Sequence, residues 1–216
     1  MEDVSVPIRA VTDVGDRAVA ITFESPPEFD GAPGQFVRLS AAIEGDVVQR
    51  FYTLSCPDVE ETFEVTVAVD PEGSLGPWLA EREPGDTVQV SGPFGDHFYE
   101  DEERVTVIAA GPGIGPAVGI GERAVNEGAA VAIVYPGDIA IHRERLMALE
   151  EAGSLLAPFD VDLTDAVTTA VEGVGGTPFV YGFEGFVSDV ANSLETAGID
   201  PDDAKIESFG PGPDAD

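Results

Sequence analysis

Three short runs hold the residues best suited to chemistry. The first is Arg50-Phe51-Tyr52-Thr53-Leu54-Ser55. On a strand, Arg50, Tyr52 and Leu54 share one face while Thr53 and Ser55 point to the other, because successive side chains alternate. An arginine two residues from a tyrosine can hold a phosphate while the ring lies on a planar cofactor. The same spacing also suits an ordinary strand with a surface arginine and a packed tyrosine. The second run is Gly73-Ser74-Leu75-Gly76-Pro77-Trp78-Leu79. A glycine turn, a hydroxyl and the amides of a helix N-terminus suit a phosphate. The third is Gly111-Pro112-Gly113-Ile114-Gly115-Pro116, preceded by the apolar Val107-Ile108-Ala109. Glycines let the backbone approach a pyrophosphate closely, and Pro116 fits the first turn of a following helix. Turns of this kind can also serve only to pack a strand tightly on its helix.

These runs need elements to hold them, and the hydrophobic pattern supplies two kinds. Up to about residue 102 the chain reads as strands at Val4–Val14, Arg17–Glu24, Gln35–Ala42, Val48–Ser55, Thr62–Val69 and Thr87–Ser91. Glycine, proline and aspartate clusters separate them, and a short helix at Gly76–Arg82 interrupts. That pattern predicts an antiparallel barrel or sandwich. After it the period changes. Short apolar strands at Val105–Ala109, Ala130–Tyr135, Pro178–Tyr181 and Lys205–Phe209 alternate with helices at Gly115–Glu127, Arg143–Glu151, Asp165–Glu172 and Val187–Ala197. Alternating strand and helix predicts a doubly wound parallel sheet. The expected organisation is therefore two domains, 1–102 and 103–210, joined through the acidic Glu100–Arg104. A tail, 211–216, is expected to lack order.

Composition narrows the function. The chain has 216 residues, with 42 acidic against 10 basic and a net charge of −32. Such a surface repels nucleic acid and anionic membranes. With 43% apolar residues the chain has material for real cores. The balance resembles that of salt-accumulating halophiles, so the fold is expected to weaken at low ionic strength. Cys56 is the sole cysteine, which excludes an intramolecular disulfide and any four-cysteine metal site built from this chain. It reads as a packed residue, and His97 and His142 lack partners at ligand spacing, so no metal is expected. No apolar run reaches the length of a membrane span, and the acidic start lacks a signal-peptide pattern. A cytoplasmic protein without membrane insertion is the expectation.

Taken in order, the segments resemble the ferredoxin–NADP reductase superfamily. Residues 50–53 match its Arg-x-Tyr-Ser/Thr motif. Pro33-Gly34-Gln35-Phe36 is similar to its Pro-Gly-Gln-Phe/Tyr segment, Gly73–Leu79 to its pyrophosphate turn, and Gly92-Pro93-Phe94-Gly95 to the loop closing its barrel. Gly111–Pro116 resembles the start of its nicotinamide lobe. The resemblance spans roughly residues 4–209. It implies an N-terminal flavin-binding antiparallel β-barrel followed by an α/β nucleotide-binding domain. It also implies a bound flavin, FAD ahead of FMN, with NADH or NADPH as cosubstrate. On that resemblance Arg50 contacts the flavin phosphates, Tyr52 stacks on the ring system and Thr53 lies near the hydride-accepting nitrogen. Leu54 and Ser55 also contact the flavin, Gly73 and Ser74 meet the pyrophosphate, and Gly111, Gly113, Ile114, Gly115, Pro116 and Gly182 meet the dinucleotide. Electrons would pass to a ferredoxin-like carrier or a small oxidant.

The match has departures. Where the family has Cys-Gly-Pro, this chain reads Tyr181-Gly182-Phe183. Tyr135-Pro136-Gly137-Asp138 and Leu163-Thr164-Asp165 supply no cation for a 2′-phosphate, which favours NADH, although Arg143 and Arg145 lie close enough in sequence to reach in. Phe209 is read as a core aromatic rather than a flavin cover. Two other functions remain: an electron-transfer subunit, against which the lack of a C-terminal cysteine cluster counts, and a flavin- or nucleotide-binding regulatory module without turnover.

Overall fold

A computed structural model describes residues 1–136, 141–160 and 162–212. Six antiparallel strands come first: β1 Val4–Gly15, β2 Ala18–Glu24, β3 Phe36–Ile43, β4 Asp46–Thr53, β5 Thr62–Ala68 and β6 Thr87–Phe94. They lie in the order β4-β3-β6-β1-β2-β5. The sheet curls until its two edges meet at a single bridge, Leu54 with Val65, backed by a bond from Ser55 N–H to the Glu64 carbonyl at 2.8 Å. The result is a partly closed barrel. Its core is the inward row of each strand, including Ile21, Phe23, Val37, Leu39, Leu54, Phe63 and Val65, all fully buried. Helix α1, Leu75–Ala80, buries Leu75 and Leu79 in that core.

The second sheet holds β7 Arg104–Ala109, β8 Ala130–Pro136, β9 Leu155–Phe159, β10 Thr177–Gly182 and β11 Lys205–Ser208, all parallel, in the order β11-β10-β7-β8-β9. Helices α2 Ile114–Asn126, α3 Arg143–Glu151, α4 Leu163–Gly173 and α5 Glu184–Thr196 cover it. Two apolar clusters lie on its two faces, which is why the strands read as continuous apolar runs.

Expected and observed elements agree in kind and differ at their ends. The strand β9 was not anticipated. Its residues, Leu-Leu-Ala-Pro-Phe, form an edge strand, the one place where an internal proline loses no needed donor. Helix α4 begins at Leu163, two residues before the expected Asp165. Asp162 caps it, accepting from Thr164 N–H at 2.8 Å and Asp165 N–H at 3.2 Å. Residues 54 and 55 leave β4 to make the closing bridge instead of extending the strand. The tail from 213 and the Gly137-Asp138 pair lie outside the described residues.

Strand order reverses between β7 and β10. The chain leaves their adjacent carboxyl ends for opposite faces, which opens a crevice there. That end of the sheet is turned toward the barrel, through the contacts described next.

Candidate functional site

On β4, Arg50 pairs in register with Leu39, Tyr52 with Val37 and Thr53 with Phe36. Arg50 is exposed. Its Nη1 donates to the Gln49 carbonyl at 2.7 Å, and no described carboxylate forms an ion pair with it, despite the 42 in the chain. Tyr52 is half-buried against the barrel core. Burial pushes its phenol up to about 12, an effect the nearby Arg50 charge only partly offsets, so the ring stays neutral near pH 7. Thr53 is buried beside it.

The next two residues of the run are placed differently. Leu54 has no exposed surface, and its N–H donates to the Gln35 carbonyl at 2.8 Å. Ser55 is equally buried, and its hydroxyl donates to Glu64 Oε1 at 2.9 Å. Both hold the barrel together and neither side chain faces a crevice. Gly73 and Ser74 form an exposed turn at the start of α1, with no capping bond from the Ser74 hydroxyl. Helix α1 lies against β3 and β4.

Of the glycine-rich run, Gly111 faces open space, with φ +55° and nothing within 4 Å of where a Cβ would stand. Gly111–Gly113 make one 3-10 turn at the end of β7, leading straight into α2. Gly113, Ile114, Gly115 and Pro116 are buried. A Cβ on Gly113 would overlap the Tyr181 carbonyl oxygen of β10. A Cβ on Gly115 would lie 2.5 Å from Thr66 Oγ1 in the barrel, and one on Gly119 would lie 3.0 Å from the Ser55 carbonyl carbon. These glycines therefore press α2 onto β10 and onto the barrel, and Gly111 is left as the open position. Gly182, at the mouth of β10, is buried under Phe186.

The contact between the two sheets is polar at its centre. Arg145, on α3, donates to Glu64 Oε1 at 2.9 Å, to Glu122 Oε1 at 2.7 Å and Oε2 at 2.6 Å, and to the Ser55 carbonyl at 2.6 Å. Burial alone would lower this guanidinium's pKa, but pairing with Glu122 and Glu64 raises it overall. Glu64 is held above the usual carboxylate range because burial outweighs the Arg145 charge. Both groups are buried; for Arg145 the two carboxylates outweigh that burial, while for Glu64 the single guanidinium does not. Arg145 is thus committed to the inter-sheet contact and is not free to bind a 2′-phosphate. Sequence spacing did not reveal this, because its partners lie 23 to 90 residues away. Arg123 of α2 adds a bridge to Asp58 at 2.5 Å. Lys205 of β11 donates to the Phe98 carbonyl at 2.6 Å and to Glu100 and Glu102.

Tyr181 stands where the related family has cysteine. It is completely buried, its hydroxyl donates to the His97 carbonyl at 3.3 Å, and a Cβ on Gly34 would lie 2.6 Å from it. Phe209 is half-buried on the parallel-sheet core, edge-on to Phe183 at 6.1 Å, with its N–H bonded to the Gly182 carbonyl. Leu163-Thr164-Asp165 forms the first turn of α4, where Thr164 bonds Ser193. Burial pushes the Cys56 thiol up to about 12. His142 is buried and neutral, held down to about 3 by burial and by the Arg145 charge, with Thr66 Oγ1 at 2.7 Å. Among the described residues no cluster of three or more His, Cys, Asp or Glu side chains is placed to hold a metal.

Residues 7–99 match the family model described as oxidoreductase FAD-binding domain. The glycine betaine monooxygenase reductase subunit of Chromohalobacter salexigens is 31% identical over 148 residues, 63% of this chain and 40% of the relative. The flavodoxin/ferredoxin–NADP reductase of Escherichia coli is 38% identical over 92 residues, 40% of this chain and 37% of the relative. The chain thus spans less than half the length of these relatives. Two solved structures share the whole fold. The flavohem-like FAD/NAD-binding domain of nitric oxide dioxygenase from Vibrio cholerae aligns with TM-score 0.80 at 21% identity, covering 98% of this chain and all of that one. A ferredoxin–NADP+ reductase from Neisseria gonorrhoeae, with bound FAD and NADP, gives 0.75 at 16% identity, covering 97% and 99%. Matched segment, sheet orders and solved structures agree: residues 7–99 belong to the oxidoreductase FAD-binding domain family, and the whole chain has the two-sheet fold of ferredoxin–NADP reductases.

Proposed function

We propose that this chain is an NAD(P)H-dependent flavoprotein reductase that passes electrons to a separate acceptor. The observation that carries the reading is Arg50: an exposed guanidinium without a carboxylate partner among the described residues of a chain of net charge −32, two residues from a neutral tyrosine ring. A phosphate-bearing planar cofactor satisfies both groups. The residues present fit FAD. Arg50, with Gly73 and Ser74, would hold the phosphates, the Tyr52 ring would support the flavin, and the Thr53 hydroxyl would orient its reactive edge. Residues 1–102 form the flavin half in this reading, and 103–210 the nucleotide half.

Bound flavin supplies hydride acceptance and the change from two-electron to one-electron transfer. What the chain adds is position. Gly111 leaves room at the switch-point crevice for a dinucleotide, and the close packing of α2 on Thr66 of β5 and on Ser55 holds that crevice beside the barrel. The described residues offer no cation at Leu163–Asp165, and Arg145 is occupied, which favours NADH. The acceptor is an oxygenase component or a ferredoxin-like carrier, as the names of the relatives suggest. Among the described residues no helix is long and apolar enough to cross a membrane, in keeping with a cytoplasmic enzyme.

Titration of purified protein with FAD, read by quenching of flavin fluorescence, tests the site. Arg50→Ala should weaken FAD binding about 10- to 100-fold, the worth of roughly 1.5–3 kcal/mol for a charge-assisted bond. Binding unchanged by that substitution would remove Arg50 from the site, and failure to bind FAD or FMN at all would end the reading.

A further inference from the structure

Tyr181 lies near the carboxyl end of β10, beside the switch-point crevice, with no exposed surface. Its backbone serves the nucleotide half. The Tyr181 carbonyl accepts the Ala110 N–H at 3.1 Å, just before the Gly111–Gly113 turn, and a Cβ on Gly113 would overlap that oxygen. The glycine turn is thus seated on Tyr181. Its side chain serves the barrel. The phenol reaches the loop 33–35, where Gly34 has φ +104° and a Cβ on it would lie 2.6 Å from the phenol oxygen. The same hydroxyl donates to the His97 carbonyl at 3.3 Å. Burial holds the phenol well above its ordinary pKa, so it stays a neutral donor. One side chain therefore spans the two halves at the point where their two sites meet.

The loop that the phenol presses on sets the end of the flavin strand. Gly34 is followed by Gln35, whose carbonyl accepts the Leu54 N–H at 2.8 Å, and by Phe36, which pairs with Thr53. The segment around His97 is tied to the same places. The His97 ring Nδ1 donates to the Ile206 carbonyl of β11 at 2.8 Å, and the Tyr99 N–H donates to the Pro33 carbonyl at 3.0 Å. Loop 33–35, segment 97–99 and the ends of β10 and β11 thus form one block, with the Tyr181 ring reaching across it. A planar ring on two rotatable bonds transmits position better than a flexible chain. We infer that Tyr181 is a positioning residue, the strut that sets the separation between the Gly111–Gly113 turn and the Thr53 end of the flavin strand. The inference rests on the reductase reading, because hydride transfer between two bound groups is what needs that separation fixed. Reacting atoms must meet at about 3–3.5 Å, and a misplacement of ~1 Å costs on the order of 100-fold in rate.

Stopped-flow reduction of FAD-reconstituted protein by NADH in molar KCl tests this, beside amide exchange of the protein without flavin. Tyr181→Leu keeps the apolar cluster filled but stops short of Gly34. It should bind FAD as the parent does and slow flavin reduction at saturating NADH by roughly 10- to 100-fold. Tyr181→Phe keeps the ring and should retain most of the parent rate. Leu194→Ala, buried on the opposite face of the parallel sheet, should lower the melting temperature and leave that rate unchanged. In flavin-free Tyr181→Leu the amides of Gln35, Leu54 and Tyr99 should exchange with deuterium faster than in the parent, while those of Ile21 and Phe23 in β2 should not. Should Tyr181→Leu fail to fold, Tyr181→Met, which fills the space without a rigid ring, is held to the same outcomes. A parent flavin that neither NADH nor NADPH reduces defeats the reductase reading, and the inference with it. Reduction of Tyr181→Leu at the parent rate defeats the inference alone, and so does faster reduction, which would make the ring an obstacle to the nicotinamide. A slower rate with unchanged exchange would place the effect outside the 33–35 loop and overturn the inference as well.

Discussion

Arg145→Met should cost about 3–5 kcal/mol of stability, because it leaves two partly buried carboxylates and a carbonyl without their shared donor. The three charged side chains are only 23–26% exposed, so solvent screens the interaction weakly. The loss should also depend on pH. Glu64 already has a pKa above its ordinary 4.5 through burial, and without Arg145 it must rise further. A raised carboxylate binds its proton more tightly in the folded state. Its penalty is therefore absent below the unfolded value and grows as pH rises through the folded one. Urea midpoints should differ widely between the variant and the parent at pH 7.5 and converge near pH 4.5, roughly the unfolded pKa. Equal differences at both pH values would mean that the loss is one of packing and that the ion pairs contribute nothing.

Gly113→Ala should lower stability by about 3 kcal/mol, the upper end of overpacking costs, or roughly 6–12 °C in melting temperature for a chain of this size. The backbone of Gly113 is ordinary, with φ −61° and ψ −15°, so any residue could adopt it. The obstacle is the Tyr181 carbonyl, which is backbone and cannot swing aside. Gly111→Ala should cost only about 1 kcal/mol, for a left-handed φ without a clash. The contrast separates two reasons for a glycine in one loop. If Gly113 served only to admit a ligand, its alanine variant would melt like the parent in the absence of nucleotide.

Much of this fold was legible because its signals are local. Alternation gave the strands of the barrel, and unbroken apolar runs gave the buried parallel strands. Arg50 and Tyr52 lie on one strand in alternate positions, as their spacing implied. The contacts that join the halves were not legible. Gly113, Gly115 and Gly119 looked like a nucleotide loop and its helix, yet Tyr181, Thr66 and Ser55 dictate them, residues 49 to 68 positions away. Arg145 looked like a surface arginine of an amphipathic helix, because nothing near it in the chain announces Glu64 or Ser55. Leu54 and Ser55 continued the β4 pattern, but the bridge to Val65 turns them into the barrel wall. Two features were readable and missed: the Asp-x-Thr-Asp cap of α4, and the apolar run Leu155–Phe159 after Gly153, which its proline disguised.

The most direct test of the central claim is an anaerobic absorbance titration of FAD-reconstituted protein in molar KCl, with NADH and NADPH added separately. The reductase reading predicts that the oxidised flavin band bleaches with stoichiometric nucleotide, and at lower concentrations of NADH than of NADPH. A flavin that binds but stays oxidised with both would contradict it, and would make the chain a flavin-binding module in which buried Tyr181 closes the nicotinamide approach.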